Sequence, residues 1–151
     1  MTVRVQQDDF DIGREIAAMT RGNRLIGAVA SFVGTVRASN DGSAVSAMTL
    51  EHYPGMTESA LDDIVAQARG RWDILDALVV HRYGRLEPGD QIVLVVVAGA
   101  HRGEAFAACE FIMDYLKTEA PFWKKEETPQ GTRWVDARET DDRTAKRWKP
   151  A

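Results

Sequence analysis

Two lysines stand seven residues apart in the last third of the chain, on either side of a short apolar segment. Lys117 ends an amphipathic stretch, and Pro121 prevents a helix from continuing through its position. Phe122 and Trp123 then anchor the segment that leads to Lys124. We therefore expect the two ammonium groups on different elements joined by a rigid corner, an arrangement that can hold one anionic ligand from two sides.

Further cationic side chains lie at the ends of predicted elements. Arg37 ends a strand, His101 and Arg102 begin a helix, and Arg138 follows the last strand. The residues before His101 are small, and the free amides and dipole at a helix N-terminus favour an anion. The alternative for each residue is an exposed side chain paired with a nearby carboxylate. We hypothesise that these groups converge with the two lysines on one anion site.

The composition indicates one globular domain with an acidic surface. The 151 residues are 44% hydrophobic and 28% charged, and we expect residues 1–151 to form a single domain. The net charge of -4 at pH 7 argues against binding driven by many phosphate contacts. Any anion site must therefore be a local basic pocket. The N-terminal residues lack the apolar core of a signal peptide, so we expect a cytoplasmic location.

The sequence offers little to a metal ion or a reactive thiol. The single cysteine, Cys109, excludes a disulfide framework, and its place on an apolar helix stripe favours a buried structural role. We interpret His52 and His81 as hydrogen-bonded strand residues, and the histidine spacing does not match a zinc site. Lys125 and Arg133 are interpreted as solvent-exposed. We expect no metal and no cofactor.

The elements that must position these side chains form a predicted α+β fold with a mixed, largely antiparallel sheet and flanking helices. The apolar pattern predicts helices over 11–20, 54–69 and 102–118, a helical tail from 137, and strands over 2–6, 27–37, 44–53, 77–83, 91–98, 123–127 and 132–136. The turn residues at 128–131 predict that the last two strands pair as a hairpin.

Three details of this prediction can be tested directly. We expect the strands 27–37 and 44–53 to pair as a hairpin, with a bulge or close backbone approach at Gly34. The uninterrupted apolar run over 91–98 indicates a central strand covered on both faces. In the helix from 102, Met113 and Lys117 share one stripe, so that a flat ligand could rest on the thioether while its anionic end meets the ammonium.

Several segments spread over most of the chain match one protein family. They include Phe32-Val-Gly-Thr-Val-Arg37, Ala120-Pro-Phe-Trp-Lys124 and Arg133-Trp-Val-Asp-Ala-Arg138, with others at 50–56, 100–102 and 111–117. In these segments the chain resembles the large, catalytic subunit of molybdopterin synthase. The resemblance implies an α/β hammerhead-type fold and a central homodimer within a heterotetramer. Each large subunit would bind one small ubiquitin-like subunit, whose C-terminal Gly-Gly carries a thiocarboxylate. The family converts cyclic pyranopterin monophosphate (precursor Z) to molybdopterin by two sulfur transfers that build its dithiolene.

The resemblance also implies the site residues. The family's two essential lysines correspond to Lys117 and Lys124, and its other pocket positions correspond to Arg37, His101, Arg102, Arg138, Phe32, Met113 and Glu126. One or more of these are expected to reach across the dimer. Both reactants would be anions, and a cluster of fixed cations would lower their repulsion. Because sulfur arrives on a partner, the large subunit needs no reactive cysteine.

Two other classes of function remain open. A non-catalytic homodimeric module that binds a phosphorylated metabolite would need the same cations but no carrier protein. Binding of single-stranded nucleic acid could use Trp123 and Trp134 as stacking platforms. The acidic net charge disfavours the second alternative, and a steep salt dependence of oligonucleotide binding would favour it.

Overall fold

A computed structural model gives the structure of residues 2–135 and 139–149, and of the side chains in these ranges except those of 139–142. The elements follow one another in the order β1 (Val3–Gln6), α1 (Ile12–Thr20), β2 (Ala28–Thr35), β3 (Ser39–Asn40), β4 (Ser43–Ala44), β5 (Ala47–His52), α2 (Met56–Arg71), β6 (Ile74–Arg82), β7 (Gly84–Leu86), β8 (Gln91–Gly99), α3 (Arg102–Glu119), β9 (Phe122–Thr128), β10 (Gly131–Val135) and α4 (Glu139–Lys146).

The first sheet is mixed and has helices on both faces. Its strand order is β1-β6-β8-β2, with β1 parallel to β6 and the other neighbours antiparallel. In β8, Val93, Val95 and Val97 pack with the buried side chains of α2 and α3, whereas Leu94 and Val96 pack with partly buried side chains of α1. The predicted central strand covered on both faces is therefore confirmed.

The second sheet is antiparallel throughout, with the order β10-β9-β5-β7. Its buried side chains Met48, Leu50 and Leu86 form a small core with Val36, and Ile92 of β8 packs against this core. The hairpin of β9 and β10 is confirmed, as is the α+β class with mixed and antiparallel sheets and flanking helices.

The hairpin predicted between strands 27–37 and 44–53 is wrong. β2 pairs with β8 in the first sheet, whereas β5 pairs with β7 and β9 in the second sheet. Only the two-residue strands β3 and β4 pair across the turn. The chain changes sheets after β2 because Val36 is held by the loop before β8, donating to Asp90 O at 3.0 Å and accepting from Gly89 N at 2.8 Å. β7, which follows β6 directly, was not predicted.

Two further predictions about local structure are confirmed. The pairing of β2 with β8 shifts register between Gly34 and Thr35, and a side chain at Gly34 would stand 3.0 Å from Val93 Cγ1. The C-terminal tail is helical and is tied to α3, because Trp148 Nε1 donates to Asp114 Oδ2 at 2.6 Å. In the described ranges, no helix has the length and apolar character needed to cross a bilayer.

Candidate functional site

A cavity of about 530 Å³ lies where the two sheets meet the last turn of α3. Its walls come from β2 and the loop that follows, from β5, β6 and β8, from the end of α3, and from β9. Among the side chains predicted for the site, the structure brings five together around this cavity: Phe32, Arg37, Lys117, Lys124 and Glu126. These residues are separated by up to 94 positions in the sequence, so the fold alone creates their proximity.

The corner between the two lysines is held by a buried hydroxyl group. α3 ends at Glu119, shortly after Lys117, and β9 begins at Phe122. The hydroxyl of Thr57, fully buried at the start of α2, donates to the carbonyl of Pro121 at 3.0 Å and accepts from Tyr53 N at 3.0 Å. The corner is thus attached to α2 as well as being stiffened by the proline.

Strand alternation in β9 selects which lysine enters the cavity. Phe122, Lys124 and Glu126 line the cavity, and the residues between them belong to the opposite face of the sheet. Lys125 places its ammonium 5.2 Å from the centre of the Trp134 ring on that opposite face. The exposed Lys117, from α3, forms no hydrogen bond or ion pair with any residue that the structure describes.

A buried carboxylate closes one side of the cavity. Glu126 accepts from Asn40 Nδ2 at 3.2 and 3.1 Å and from Arg133 Nε and Nη2 at 3.2 and 3.1 Å. Arg133 Nη2 also donates to the Asn40 carbonyl at 3.3 Å, which ties β3 to the hairpin. Arg133, interpreted as solvent-exposed, has a side chain that is 40% exposed, but its ion pair with Glu126 was not predicted. The register of the β9–β10 hairpin, which places Arg133 opposite Glu126, could have predicted this ion pair.

His81 of β6 is a cavity residue that sequence reasoning missed. Its Nδ1 lies 2.8 Å from the Arg82 carbonyl, which can only accept, so Nδ1 carries the proton and Nε2 the lone pair. The ring stacks on Phe122 with centroids 3.7 Å apart and planes inclined by 18°. Burial lowers the pKa of His81 to about 3, although the hydrogen bond to the Arg82 carbonyl acts to raise it. The charges of Lys117 and Lys124 also act to lower this pKa.

The remaining predicted residues lie elsewhere or outside the described ranges. His101 precedes α3 and Arg102 begins it, both exposed, and neither lines the cavity. With a rise of about 1.5 Å per residue, Arg102 is roughly 22 Å along the helix from Lys117. Met113, one turn from Lys117, is buried in the core between the first sheet and the helices α2 and α3, here called the main core, and does not line the cavity. Arg138 lies outside the described residues.

Cys109 is buried in the main core, as predicted. Burial raises the pKa of its thiol to about 11, so the thiolate is scarce near neutral pH. The chemistry of the cavity must therefore rest on cations and on His81 rather than on a cysteine nucleophile of this chain.

Comparisons with known proteins place the chain in one family. The profile of the MoaE protein family matches residues 5–119. A molybdopterin synthase catalytic subunit from Ralstonia nicotianae is 71% identical over 147 residues, which are 97% of this chain and 84% of the relative. A molybdopterin biosynthesis MoaE protein from Burkholderia ambifaria has 61% identity and a TM-score of 0.84, with 97% of each chain covered. Molybdopterin synthase from Staphylococcus aureus has 28% identity and a TM-score of 0.83 over 90% of this chain and 98% of that chain.

Two features thus agree: a cavity that gathers the expected lysines, and near-complete similarity to catalytic subunits of one enzyme. The similarity extends over both sheets and the helices that position the site. The chain therefore belongs to the MoaE family, the catalytic subunits of molybdopterin synthase, and is an enzyme subunit of molybdenum cofactor biosynthesis.

Proposed function

We propose that this chain transfers sulfur from the C-terminal thiocarboxylate of a small ubiquitin-like carrier subunit to precursor Z, forming the dithiolene of molybdopterin. The observation that carries the proposal is the convergence of Lys117, Lys124 and Arg37 on one cavity from α3, from β9 and from the loop after β2. Precursor Z bears a phosphate and the carrier a thiocarboxylate, so the reactants repel each other. Fixed cations offset that repulsion and stabilise charge that develops during the transfer.

Lys117 is proposed to interact with the C-terminal thiocarboxylate of the carrier subunit. The name of the relatives, catalytic subunit, implies at least one further subunit. A Gly-Gly tail has no side chains, so it can enter a passage that other sequences would block. Lys117 is exposed, lines the cavity, and has no hydrogen-bonding or ion-pair partner among the described residues. In the proposal it either activates the acyl carbon of the thiocarboxylate or accepts the acyl group transiently as an amide.

Lys124 and Arg37 are proposed to interact with the pterin substrate. At each of two side-chain carbons of the pterin, the thiocarboxylate sulfur forms a carbon–sulfur bond while a carbon–oxygen bond breaks. At one carbon the oxygen stays on the cyclic phosphate as it opens, and at the other it leaves as water. Water then cleaves the acyl–sulfur bond, so that the carrier leaves as a carboxylate. Each carrier supplies one sulfur atom, and two are consumed for each dithiolene. Lys124 and Arg37 stabilise the negative charge of the pterin intermediate and of the cyclic phosphate as it opens.

The phosphate is assigned to His101, Arg102 and Arg138 of a neighbouring protomer in a homodimer. Arg102 is too far along α3 to share the cavity with Lys117 of its own chain. Phe106, in the second turn of α3, is 66% exposed. A large apolar side chain left in solvent so close to Arg102 is what a subunit interface at this end of the helix would cover. The proposal includes the heterotetramer and the cytoplasmic location expected from the sequence.

Adjacent lysines on β9 supply a matched test of the proposal. Mass spectrometry would follow the product formed from precursor Z and thiocarboxylated carrier by the wild type, by Lys124→Ala and by Lys125→Ala. We expect product from the wild type and from Lys125→Ala, whose lysine contacts Trp134 on the opposite face, and none from Lys124→Ala.

Each outcome of this experiment decides something. Full turnover by Lys124→Ala would contradict the assigned roles. A wild-type chain that binds precursor Z but forms no product with the thiocarboxylated carrier would instead favour the non-catalytic module that binds a phosphorylated metabolite.

A further inference from the structure

We infer that His81 is a specificity-determining residue of the cavity, whose Nε2 accepts a hydrogen bond from an N–H group of the bound pterin. The inference rests on the proposed function, because it states what the same cavity recognises in its substrate besides negative charge.

The orientation of the His81 ring is fixed before any ligand binds. Its Nδ1–H is committed to the Arg82 carbonyl at 2.8 Å, and its face is stacked on Phe122 at 3.7 Å between centroids. His81 lines the cavity, and its Nε2 forms no hydrogen bond with any residue in the described ranges. The lone pair is thus held in one direction by strand β6 and by the first residue of β9.

The neighbours of His81 leave it as an acceptor among donors. Lysine and arginine side chains can only donate, and three of them line this cavity: Arg37, Lys117 and Lys124. The Glu126 carboxylate already accepts from Asn40 and Arg133. A ligand that carried only acceptors, such as the dianionic phosphate group of an ester, would satisfy the cations but would leave Nε2 without a donor once water is displaced.

The electrostatic surroundings keep His81 in the accepting form. Lys117 on α3, Lys124 on β9 and His52 on β5 each disfavour a positive charge on His81, and burial disfavours it more strongly. With the pKa of His81 lowered to about 3, its imidazole is neutral throughout the range in which an ordinary histidine titrates.

A pterin matches this pattern of groups. The pyrimidine part of its ring presents N–H donors beside a carbonyl acceptor along one edge. An N–H placed on Nε2 leaves the carbonyl and the phosphate for the cations. The cavity can therefore distinguish a pterin phosphate from phosphate esters of similar charge that carry no N–H donor.

The first test compares two probes on two variants. Calorimetry would measure the Kd of neopterin monophosphate and of inorganic phosphate for the wild type, His81→Leu and His81→Gln. We expect His81→Leu to weaken the pterin probe roughly ten-fold or more, since a lost hydrogen bond to a buried acceptor has about this effect, and to leave inorganic phosphate within about two-fold. His81→Gln, which retains an acceptor oxygen, should recover most of the affinity. Equal effects of His81→Leu on both probes, or none on the pterin, would overturn the inference.

A second measurement needs no variant and so does not depend on its folding. In protein labelled with ¹⁵N at histidine, neopterin monophosphate should shift the Nε2 resonance of His81 in the direction of a newly accepted hydrogen bond, and inorganic phosphate should not. An unchanged resonance at saturation with the pterin would contradict the inference.

Failure of the inference and failure of the proposed function can be told apart. If the wild type forms product but His81→Leu keeps the wild-type KM for precursor Z, His81 has no part in recognition and the sulfur transfer stands. If the wild type forms no product, the proposed function fails, and the two binding measurements still decide whether His81 recognises a pterin.

Discussion

The Thr57 hydroxyl donates a 3.0 Å hydrogen bond to the carbonyl of Pro121, 64 residues away. This bond attaches the start of α2 to the corner that separates Lys117 from Lys124. The same oxygen accepts from Tyr53 N at 3.0 Å, so a single buried hydroxyl satisfies two backbone groups. The distance between the two lysines therefore depends on a residue that does not line the cavity.

We expect Thr57→Val to lower the free energy of unfolding by about 1–3 kcal/mol, because it leaves the Tyr53 N–H and the Pro121 carbonyl without partners at nearly constant side-chain volume. Urea denaturation would measure this change. Product formation, assayed where both proteins are folded, should fall as well, because the corner loses its attachment.

Thr57→Ser is the matched control, since it keeps the hydroxyl and loses only a methyl group. It should retain most of the turnover. If Thr57→Val formed product at the wild-type rate, the corner would be held by Pro121 alone.

We expect Lys117→Ala to abolish product formation while changing the free energy of unfolding by less than about 0.5 kcal/mol, because Lys117 is exposed and has no hydrogen bond or ion pair within the described ranges. Turnover with the thiocarboxylated carrier and urea denaturation would measure the two quantities. Lys146→Ala, at an exposed position of α4, is the control and should keep full activity.

Lys117→Arg separates the two roles assigned to this residue. Arginine keeps the positive charge but is not a nucleophile near neutral pH, because its guanidinium group stays protonated there. Activity retained by Lys117→Arg would assign electrostatic activation, and its loss, with a carrier–protein amide found in the wild type, would assign acyl transfer to the amine.

Because the pKa of His81 is lowered to about 3 in the folded protein, stability should depend on pH in a predictable direction. Below about pH 6.5 the unfolded chain binds a proton at this residue that the folded chain does not bind, so the free energy of unfolding falls as the pH drops towards 3. Between pH 7 and 4.5 this amounts to about 2–3 kcal/mol.

The comparison with His81→Gln isolates this contribution from that of the carboxylates. Urea denaturation at pH 7 and at pH 4.5 would measure the free energy of unfolding of both proteins. Between these two pH values, the wild type should lose about 2–3 kcal/mol more than His81→Gln. Equal losses in the two proteins would mean that His81 takes up a proton in the folded state.

We expect Arg133→Ala to lower the free energy of unfolding by about 1–2 kcal/mol, because it leaves the buried Glu126 carboxylate with only Asn40 as a donor among the described side chains, and Arg133 itself is partly exposed. Arg85→Ala breaks an exposed pair with Glu127 on the outer face of the same sheet and should lower the free energy of unfolding by less than Arg133→Ala does. Urea denaturation of both variants tests the difference, and equal effects would deny Glu126 a structural role.

The parts of the fold that depend on local patterns could be predicted from the sequence. The apolar run over 91–98 predicted the central strand, Pro121 predicted the end of α3, and the turn after Thr128 predicted the last hairpin. Pairing partners distant in sequence could not be predicted. A turn at 39–43 indicates that the chain reverses, but it does not tell which sheet each flanking strand joins.

The same distinction explains the site. Lys117 and Lys124 could be predicted because they flank one local corner. His81 could not, because β6 is buried on both faces, and its sequence then shows no alternation that marks one side as lining a cavity. The hydrogen bond between Asn40 and Glu126 joins residues that are 86 positions apart in the sequence, and no local pattern predicts it.

Strand β9 carries lysines at consecutive positions, so a slip of one residue would exchange the side chains on its two faces. Two contacts fix the alignment of the hairpin: Thr128 Oγ1 donates to Gly131 O at 2.8 Å at the turn, and Arg133 meets Glu126 across the strands. The number of residues between Lys117 and Lys124 therefore decides which side chains of β9 face the cavity. If one residue were inserted between Phe122 and Trp123 and the pairing of Phe122 were kept, the sheet would remain intact, but Trp123 and Lys125 would face the substrate in place of Lys124 and Glu126.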